Sequence, residues 1–578
     1  MRFPSLDLLA RHALAVLRRF PWTLAAGGVA AVAAILGSLR GADDVWGRLA
    51  FVAALGLPLT LALALLGEAR GWSARTRLLA LLAGVLALVA FLVIWPGVDR
   101  RHDAIRYFQL SAALHLCVAF LPFLGTDEDL GFWQYNRRLF LGFLRALVFS
   151  GVLFVGIAIA LGALDKLFGV DVEFETYLRI WFVVAFVVNT WIFLAVVPER
   201  LAELRHDTEY PRALKIFAQY ILTPLAFTYL VILLAYLVKI VAGGEWPSGW
   251  IGWLVASVAV TGLLGFLLVH PLRSDAGEGW IRTYARWLFI GLIPAAVMLL
   301  VAFWKRILPY GLTEPRLLGL VLGLWLLAIA VLFTVRSGTG IRTIPVTLAA
   351  VLLLTLFGPL GVTRLSTGSQ SRRLARMLQP PGPGGGNPRE ASAALRFLMD
   401  HDAGEEIAEA IGHELPPVDW KSAPRYGDQR DSLARSILAL AGASYVPEYL
   451  YEPYGWYHLS TNQPVPVAGF AWSLPVTSGD GQMRLLGSDS VAVIPGDTRR
   501  GIARFRVGND TLAFDLLPLA RRYADSISNR GGMLDVPLML EGAEGGRRSA
   551  LMLAEVNGER KGDSLTVSHW RGSLLLGK

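Results

Sequence analysis

An all-α polytopic membrane bundle of about 11 transmembrane helices, followed by a soluble α+β C-terminal domain, is the fold class that three features predict. Of 578 residues, 54% are hydrophobic and only 17% charged, against roughly 25% charged in soluble domains. Apolar runs of about 18 residues or more recur from Pro21 to Val362, each long enough to cross a hydrocarbon core of roughly 30 Å as a helix. After Val362 the runs stop, and a Pro/Gly stretch, Gln379–Pro388, precedes a tail of ordinary polarity.

Residues 1–20 read as an amphipathic N-terminal helix, with Leu6, Leu9, Leu14 and Leu17 on one face and Asp7, Arg11, Arg18 and Arg19 elsewhere. Residues 21–363 hold the spans, at Pro21–Leu39, Leu49–Leu66, Leu78–Trp95, Tyr107–Leu124, Leu139–Leu164 and Ile180–Val197. The series continues with Ile216–Ile240, Trp250–Pro271, Trp287–Trp304, Leu317–Val335 and Thr343–Val362. The first run ends without an A-x-A cleavage site and reads as an uncleaved span. Trp95, Tyr107, Trp250 and Trp287 at run ends suit interfacial anchors. Residues 364–388 form an exit helix and a Pro/Gly linker. Residues 389–578 show helical spacing at Glu390–His401, Gly404–Ile411 and Asp431–Ala441, then short β-like runs from Val465 to Trp570, a soluble α+β domain.

The net charge of +9 divides unevenly. From Met377 onward the net is near −4, so the basic excess belongs to the membrane-embedded part. There it fits anionic lipid headgroups and sets orientation; no nucleic-acid partner is expected. The distribution favours a cytoplasmic N-terminus by a small margin, with Arg100, Arg101, Lys305 and Arg306 falling on the other side, and eleven crossings then place the tail outside the cytoplasm. That tail is a candidate surface for an envelope protein partner. The single cysteine, Cys117, excludes an intrachain disulfide or CxxC site. No phosphate-binding G-x-x-x-x-G-K-[ST] or G-x-S-x-G occurs, and His413-Glu414 is followed by Leu-Pro-Pro, not x-x-His. Hence no cofactor, metal site or catalytic residue is expected.

The loop Arg306–Arg316 joins two spans and is broken by Pro309, Gly311 and Pro315. It holds Tyr310, Thr313, Glu314 and Arg316 at one membrane surface, beside Gly319-x-x-x-Gly323, and these four form the candidate functional surface. Glu314 suits a helix N-terminus. Arg316 is suited to a phosphate headgroup, to Glu314 or to a partner loop. Polar residues inside spans are functional suspects: Gln109, His115, Arg145, Asn189 and Gln219. The plainer readings are interhelical hydrogen bonds for Gln109, Asn189 and Gln219, packing for His115 and snorkelling for Arg145. No Asp or Glu lies mid-span, which disfavours an ion-coupled transporter, whereas Pro58, Pro224, Pro294 and Pro345 free carbonyls that can line a pathway.

Several stretches resemble the bacterial membrane family known as domain of unknown function 4153. They are Phe132-Trp-Gln-Tyr-Asn-Arg-Arg-Leu-Phe140, Leu214-Lys-Ile-Phe-Ala-Gln-Tyr-Ile-Leu-Thr-Pro-Leu225, Ala235-Tyr-Leu-Val-Lys-Ile240, Trp246-Pro-Ser-Gly249, and Arg306 with Tyr310-Gly-Leu-Thr-Glu-Pro-Arg316. Gly358-Pro359 and Ser369-Gln370 match more loosely. The resemblance implies a multi-pass fold in a bacterial inner membrane and brings no activity or catalytic residue. The expected function is a non-enzymatic membrane platform presenting the C-terminal domain to a protein, envelope or lipid partner. The alternative is a small-solute or lipid transporter or flippase.

Overall fold

The computed structural model describes residues 6–40, 45–98, 100–126, 128–243, 250–274, 279–336, 338–380, 386–415, 428–447, 454–461, 463–465, 467–478, 483–486, 489–494, 501–527, 537–542, 548–561 and 564–577. The stretch Trp246–Gly249 and the linker centre, 381–385, lie outside them. The chain divides into two compact units, Met1–Gln379 with Ala394–Ala423, and Pro380–Ala393 with Pro424–Lys578.

The first unit is a helical bundle. Helix α1 (Leu6–Arg19) leads into α2 (Pro21–Arg40), α3 (Val45–Ala69), α4 (Ala74–Ile94), α5 (Arg101–Phe120) and the 40-residue α6 (Asp129–Phe168). Next come α7 (Phe174–Val183) and α8 (Asn189–Leu194), joined by the π turn Val184–Val188. A second π turn, Phe217–Leu222, joins α9 (Arg212–Ile216) to α10 (Thr223–Gly243). It ends two residues before Pro224, whose missing N–H and ring disturb the regular ladder. Then follow α11 (Trp250–Val269), α12 (Gly279–Tyr310), α13 (Glu314–Val335), α14 (Thr343–Leu354), α15 (Val362–Met377), the part of α16 (Pro388–Asp400) from Ala394 onward, and α17 (Gly404–Ile411). Pro58 and Pro294 lie inside continuous helices.

Among the described residues, ten helical stretches are long and apolar enough to cross a membrane. The last expected run forms α14, of 12 residues, and then loosens. It still retraces α5. Arg342 at its start donates to the Phe123 carbonyl beyond one end of α5, and Arg106 near the other end donates to Thr363 Oγ1. Large apolar side chains such as Val152, Ile159 and Val93 are exposed on the outer helix faces, as a lipid solvent allows. The interior packs Phe20, Leu65, Tyr135, Ile281, Leu288 and Leu292. Small residues let helices approach: a Cβ on Gly319 would lie 2.1 Å from the Phe303 ring.

The second unit, beyond α18 (Asp428–Leu440), carries two antiparallel sheets. One is ordered β1-β8-β9-β2, with β7 also on β8, from β1 (Tyr454–Ser460), β2 (Trp472–Thr477), β7 (Leu538–Gly542), β8 (Ser549–Lys561) and β9 (Ser564–Leu576). The other is the meander β3 (Met483–Leu486), β4 (Asp489–Ile494), β5 (Ile502–Val507) and β6 (Asp510–Asp515). Alternate residues Ala503, Phe505 and Val507 of β5, with Leu512 and Phe514 of β6, point into a core shared with Leu551, Trp570 and Leu574. The two-residue β5–β6 turn begins with Gly508 at φ +62°, a conformation suited to glycine. Helix α19 (Leu517–Ile527) completes the unit.

Candidate functional site

Helices α12 and α13 meet at a tight corner. Gly311, at φ +68°, turns the chain, and a Cβ there would sit 2.9 Å from Gln370 Nε2. Gln370 on α15 donates from that nitrogen to the carbonyls of Tyr310 (3.0 Å) and Leu312 (2.8 Å), while Ser369 Oγ accepts from the Leu312 N–H. Two stretches far apart in sequence, the Tyr310–Arg316 loop and Ser369-Gln370, thus form one staple. Arg316 Nη1 donates to the Tyr310 and Gly311 carbonyls at the end of α12. The half-exposed Tyr310 ring lies between the Arg316 and Arg373 guanidiniums, at 5.6 and 5.9 Å. Thr313 occupies the N-cap of α13, but its side chain makes no cap hydrogen bond.

Glu314 turns inward. It is 4% exposed, and its Oε1 lies 2.5 Å from His401 Nε2. His401 Nδ1 faces the Phe397 carbonyl at 2.6 Å. A carbonyl only accepts, so Nδ1 carries a proton, and the second proton is held between Nε2 and the Glu314 carboxylate. The ring stacks between Phe397 (4.1 Å) and His102 (4.3 Å). Burial disfavours the charged ring, but the hydrogen bond and charge of Glu314, with the Phe397 carbonyl and Asp400, outweigh it. The His401 pKa therefore lies above its ordinary value.

The N-terminus of α5 completes the cluster. His102 Nε2 is 3.2 Å from Asp103 Oδ2, and Arg106 Nη1 is 3.4 Å from Asp103 Oδ1. The Asp103 carbonyl accepts from the Trp95 indole. Arg100 pairs with Asp402 next to His401. Helices α15 and α17 are tied by Ser371 Oγ donating to the Glu406 carbonyl. Among the described residues no three His, Cys, Asp or Glu side chains converge as a metal site. The arrangement is a buried ion-pair clamp holding the segment around His401 against the starts of α5 and α13.

The intramembrane candidates lie elsewhere and apart from one another. Gln109 is buried and donates to the Leu352 carbonyl (2.7 Å) and Thr355 Oγ1 (2.9 Å), joining α5 to α14. His115 is exposed and engages the Ser111 carbonyl of its own helix. Arg145 is exposed on α6. Asn189 follows a π turn and accepts from Ser150 Oγ at 3.4 Å. Gln219 lies within the other π turn and lines a cleft of about 630 Å³ with Tyr284, Trp280 and Trp287. Sequence reasoning missed His102, Asp103, His401, Arg100 and Asp402. The sequence holds three His-Asp pairs, His102-Asp103, His206-Asp207 and His401-Asp402, among nine histidines, and two of the three meet here.

An uncharacterized protein of Pasteurella multocida (strain Pm70), PM1469, is 25% identical over 179 residues. That similarity covers 31% of this chain and 30% of the relative, so the chain spans under a third of the curated relative it matches. No solved structure matches. A family model described as a domain of unknown function (DUF4153) matches residues 24–379, more than half of the sequence, and the chain belongs to that family.

Proposed function

We propose that this multi-pass membrane protein is a non-enzymatic platform of the bacterial inner membrane that presents its C-terminal unit, outside the cytoplasm, to an envelope partner. The observation that carries the reading is the clamp: Glu314–His401 and Arg100–Asp402 fix the segment leading to that unit against the ends of two spans. A fixed end suits presentation, whereas alternating access requires an end that opens. The side rests on a small charge bias: Arg19, Arg70, Arg77, Arg137, Arg138 and Arg342 gather at the end opposite the clamp, as cytoplasmic residues do, while Arg100, Arg101, Lys305 and Arg306 lie at the clamp end. The transporter reading retains one specific support, the Gln219 cleft beside a π turn and Pro224.

Stapling separates the two. In a Cys117→Ser background, Arg100→Cys and Asp402→Cys are joined by a bismaleimide and complementation of a deletion phenotype is scored. A platform keeps working when stapled; loss of function only after stapling means that this end must open. A phosphatase fused after Lys578 is expected to be active, and an inactive one places the C-terminal unit in the cytoplasm.

A further inference from the structure

A second feature lies beside the clamp. Helices α11, α12 and α13 enclose a cleft of about 720 Å³, within the range of ligand sites. Among the described residues its polar lining is cationic, with Arg101, Lys305, Arg306 and Arg316 beside Tyr310 and no Asp or Glu. The nearby Glu314 is buried against His401, so its charge is taken up by the clamp. Arg316 spends Nη1 on two carbonyls, and the Tyr310 face supports its guanidinium, which holds the cation in place. The remaining lining is apolar and includes Trp253, Ala256, Phe303 and Leu322, with Gly319 making room for the Phe303 ring. Trp253 is 78% exposed on the outer surface of the bundle, so the cleft opens sideways to the hydrocarbon.

A cationic rim above an apolar, lipid-facing wall matches one kind of molecule. We propose that this cleft binds a membrane phospholipid with an anionic headgroup, its phosphate at Arg101, Arg306 and Arg316 and an acyl chain along Trp253, Ala256 and Leu322. A free phosphate would leave the apolar wall unused, and a zwitterionic lipid brings its own cation to a rim that already carries several.

The test uses the full-length protein released from nanodiscs of equal phosphatidylglycerol and phosphatidylcholine with identical chains. Native mass spectrometry then counts the retained lipid. Phosphatidylglycerol is expected to be retained about tenfold over phosphatidylcholine, a preference of about 1.4 kcal/mol. Arg101→Gln with Arg306→Gln should abolish that preference. Ala256→Phe, at an exposed position, should lower retention with the rim intact. If the double variant does not fold, each single variant should give a partial loss. Inorganic phosphate in excess should leave the lipid bound. Equal retention of the two lipids, an unchanged preference in the rim variants, unchanged retention in Ala256→Phe, or displacement by phosphate alone would each overturn the proposal.

Discussion

The two ends of the helical bundle are held by different chemistry. At the end bearing α1, arginines donate to main-chain carbonyls that helix termini leave unsatisfied. Arg19 reaches the carbonyls of Val197 and Pro198, Arg70 that of Leu124, Arg137 that of Glu209 and Arg342 that of Phe123. Guanidinium stays charged at any physiological pH, so these staples are permanent. At the opposite end Arg316 makes the same kind of bond to the Tyr310 and Gly311 carbonyls and Arg100 pairs with Asp402, but the central cation is His401, whose charge depends on pH. One end is held by cations that keep their charge, and the other includes one cation, His401, that can lose it.

Removing a partner from the clamp is the strongest way to break this contrast. Glu314→Ala leaves His401 buried without its carboxylate and is expected to cost about 3–5 kcal/mol, read as a large fall in thermal stability in detergent. Hydrogen exchange should rise in residues 394–411 and stay unchanged around Arg19. Glu314→Gln keeps an acceptor for Nε2 and should cost far less. Equal losses in the two variants would mean that the charge, rather than the acceptor, is what Glu314 contributes.

Next in size is the corner. Gly311→Ala places a Cβ at φ +68° and 2.9 Å from Gln370 Nε2. The left-handed backbone alone costs an L-residue about 1–2 kcal/mol. If the staple positions Glu314, the variant should also loosen residues 394–411. Lost stability with normal exchange there would show the corner and the clamp to be independent.

The pH response sharpens the comparison further. His401 has a raised pKa in the folded protein, so the clamp's contribution is fully present below the ring's ordinary value of 6.5 and is lost as pH rises through the higher folded value. Around the ring stand Glu314 from α13, His102, Asp103 and Arg100 at the start of α5, and Asp400 and Asp402 on its own segment. Protection at 397–411, corrected for the intrinsic rise of exchange with pH, should therefore fall between neutral and alkaline pH. A His401→Gln variant should lose that dependence. A wild-type profile flat across this range would count against a charged ring.

The spans were legible because hydropathy is local: each apolar run carries its own signal, and Trp95 and Tyr107 mark edges without reference to any partner. What was not legible is non-local. Glu314 and His401 lie 87 residues apart, with the Pro/Gly linker between them, and no periodicity connects them. The Tyr310–Arg316 loop and Ser369-Gln370 were each noticed, but that Gln370 staples the loop is a matter of geometry. The π turns before Asn189 and Pro224 leave no hydropathy trace, since one extra residue per turn changes no side chain. Gln109 is visible in the sequence as a polar residue in a span, whereas its partners Leu352 and Thr355, 243 and 246 residues away, are not.

The smallest expected effect lies at the arginine end and has the opposite sign in pH. Asp207 accepts from Arg138 at 2.9 Å and lies 3.5 Å from Arg137, and its side chain also accepts the Glu209 N–H. Partial burial raises its pKa, but the Glu209 N–H and the two arginines outweigh this, leaving it below the ordinary 3.8. The contribution is then present above about 3.8 and lost as pH falls through the lower folded value. Arg138 is 42% exposed, so solvent screens the pair, and Arg138→Gln should cost about 0.2–1 kcal/mol. The variant should melt slightly lower at neutral pH and approach the parent in strong acid, where Asp207 is protonated in both. Residues 397–411, by contrast, should exchange alike in variant and parent at every pH. A change there would mean that the two ends are coupled through the bundle rather than held separately.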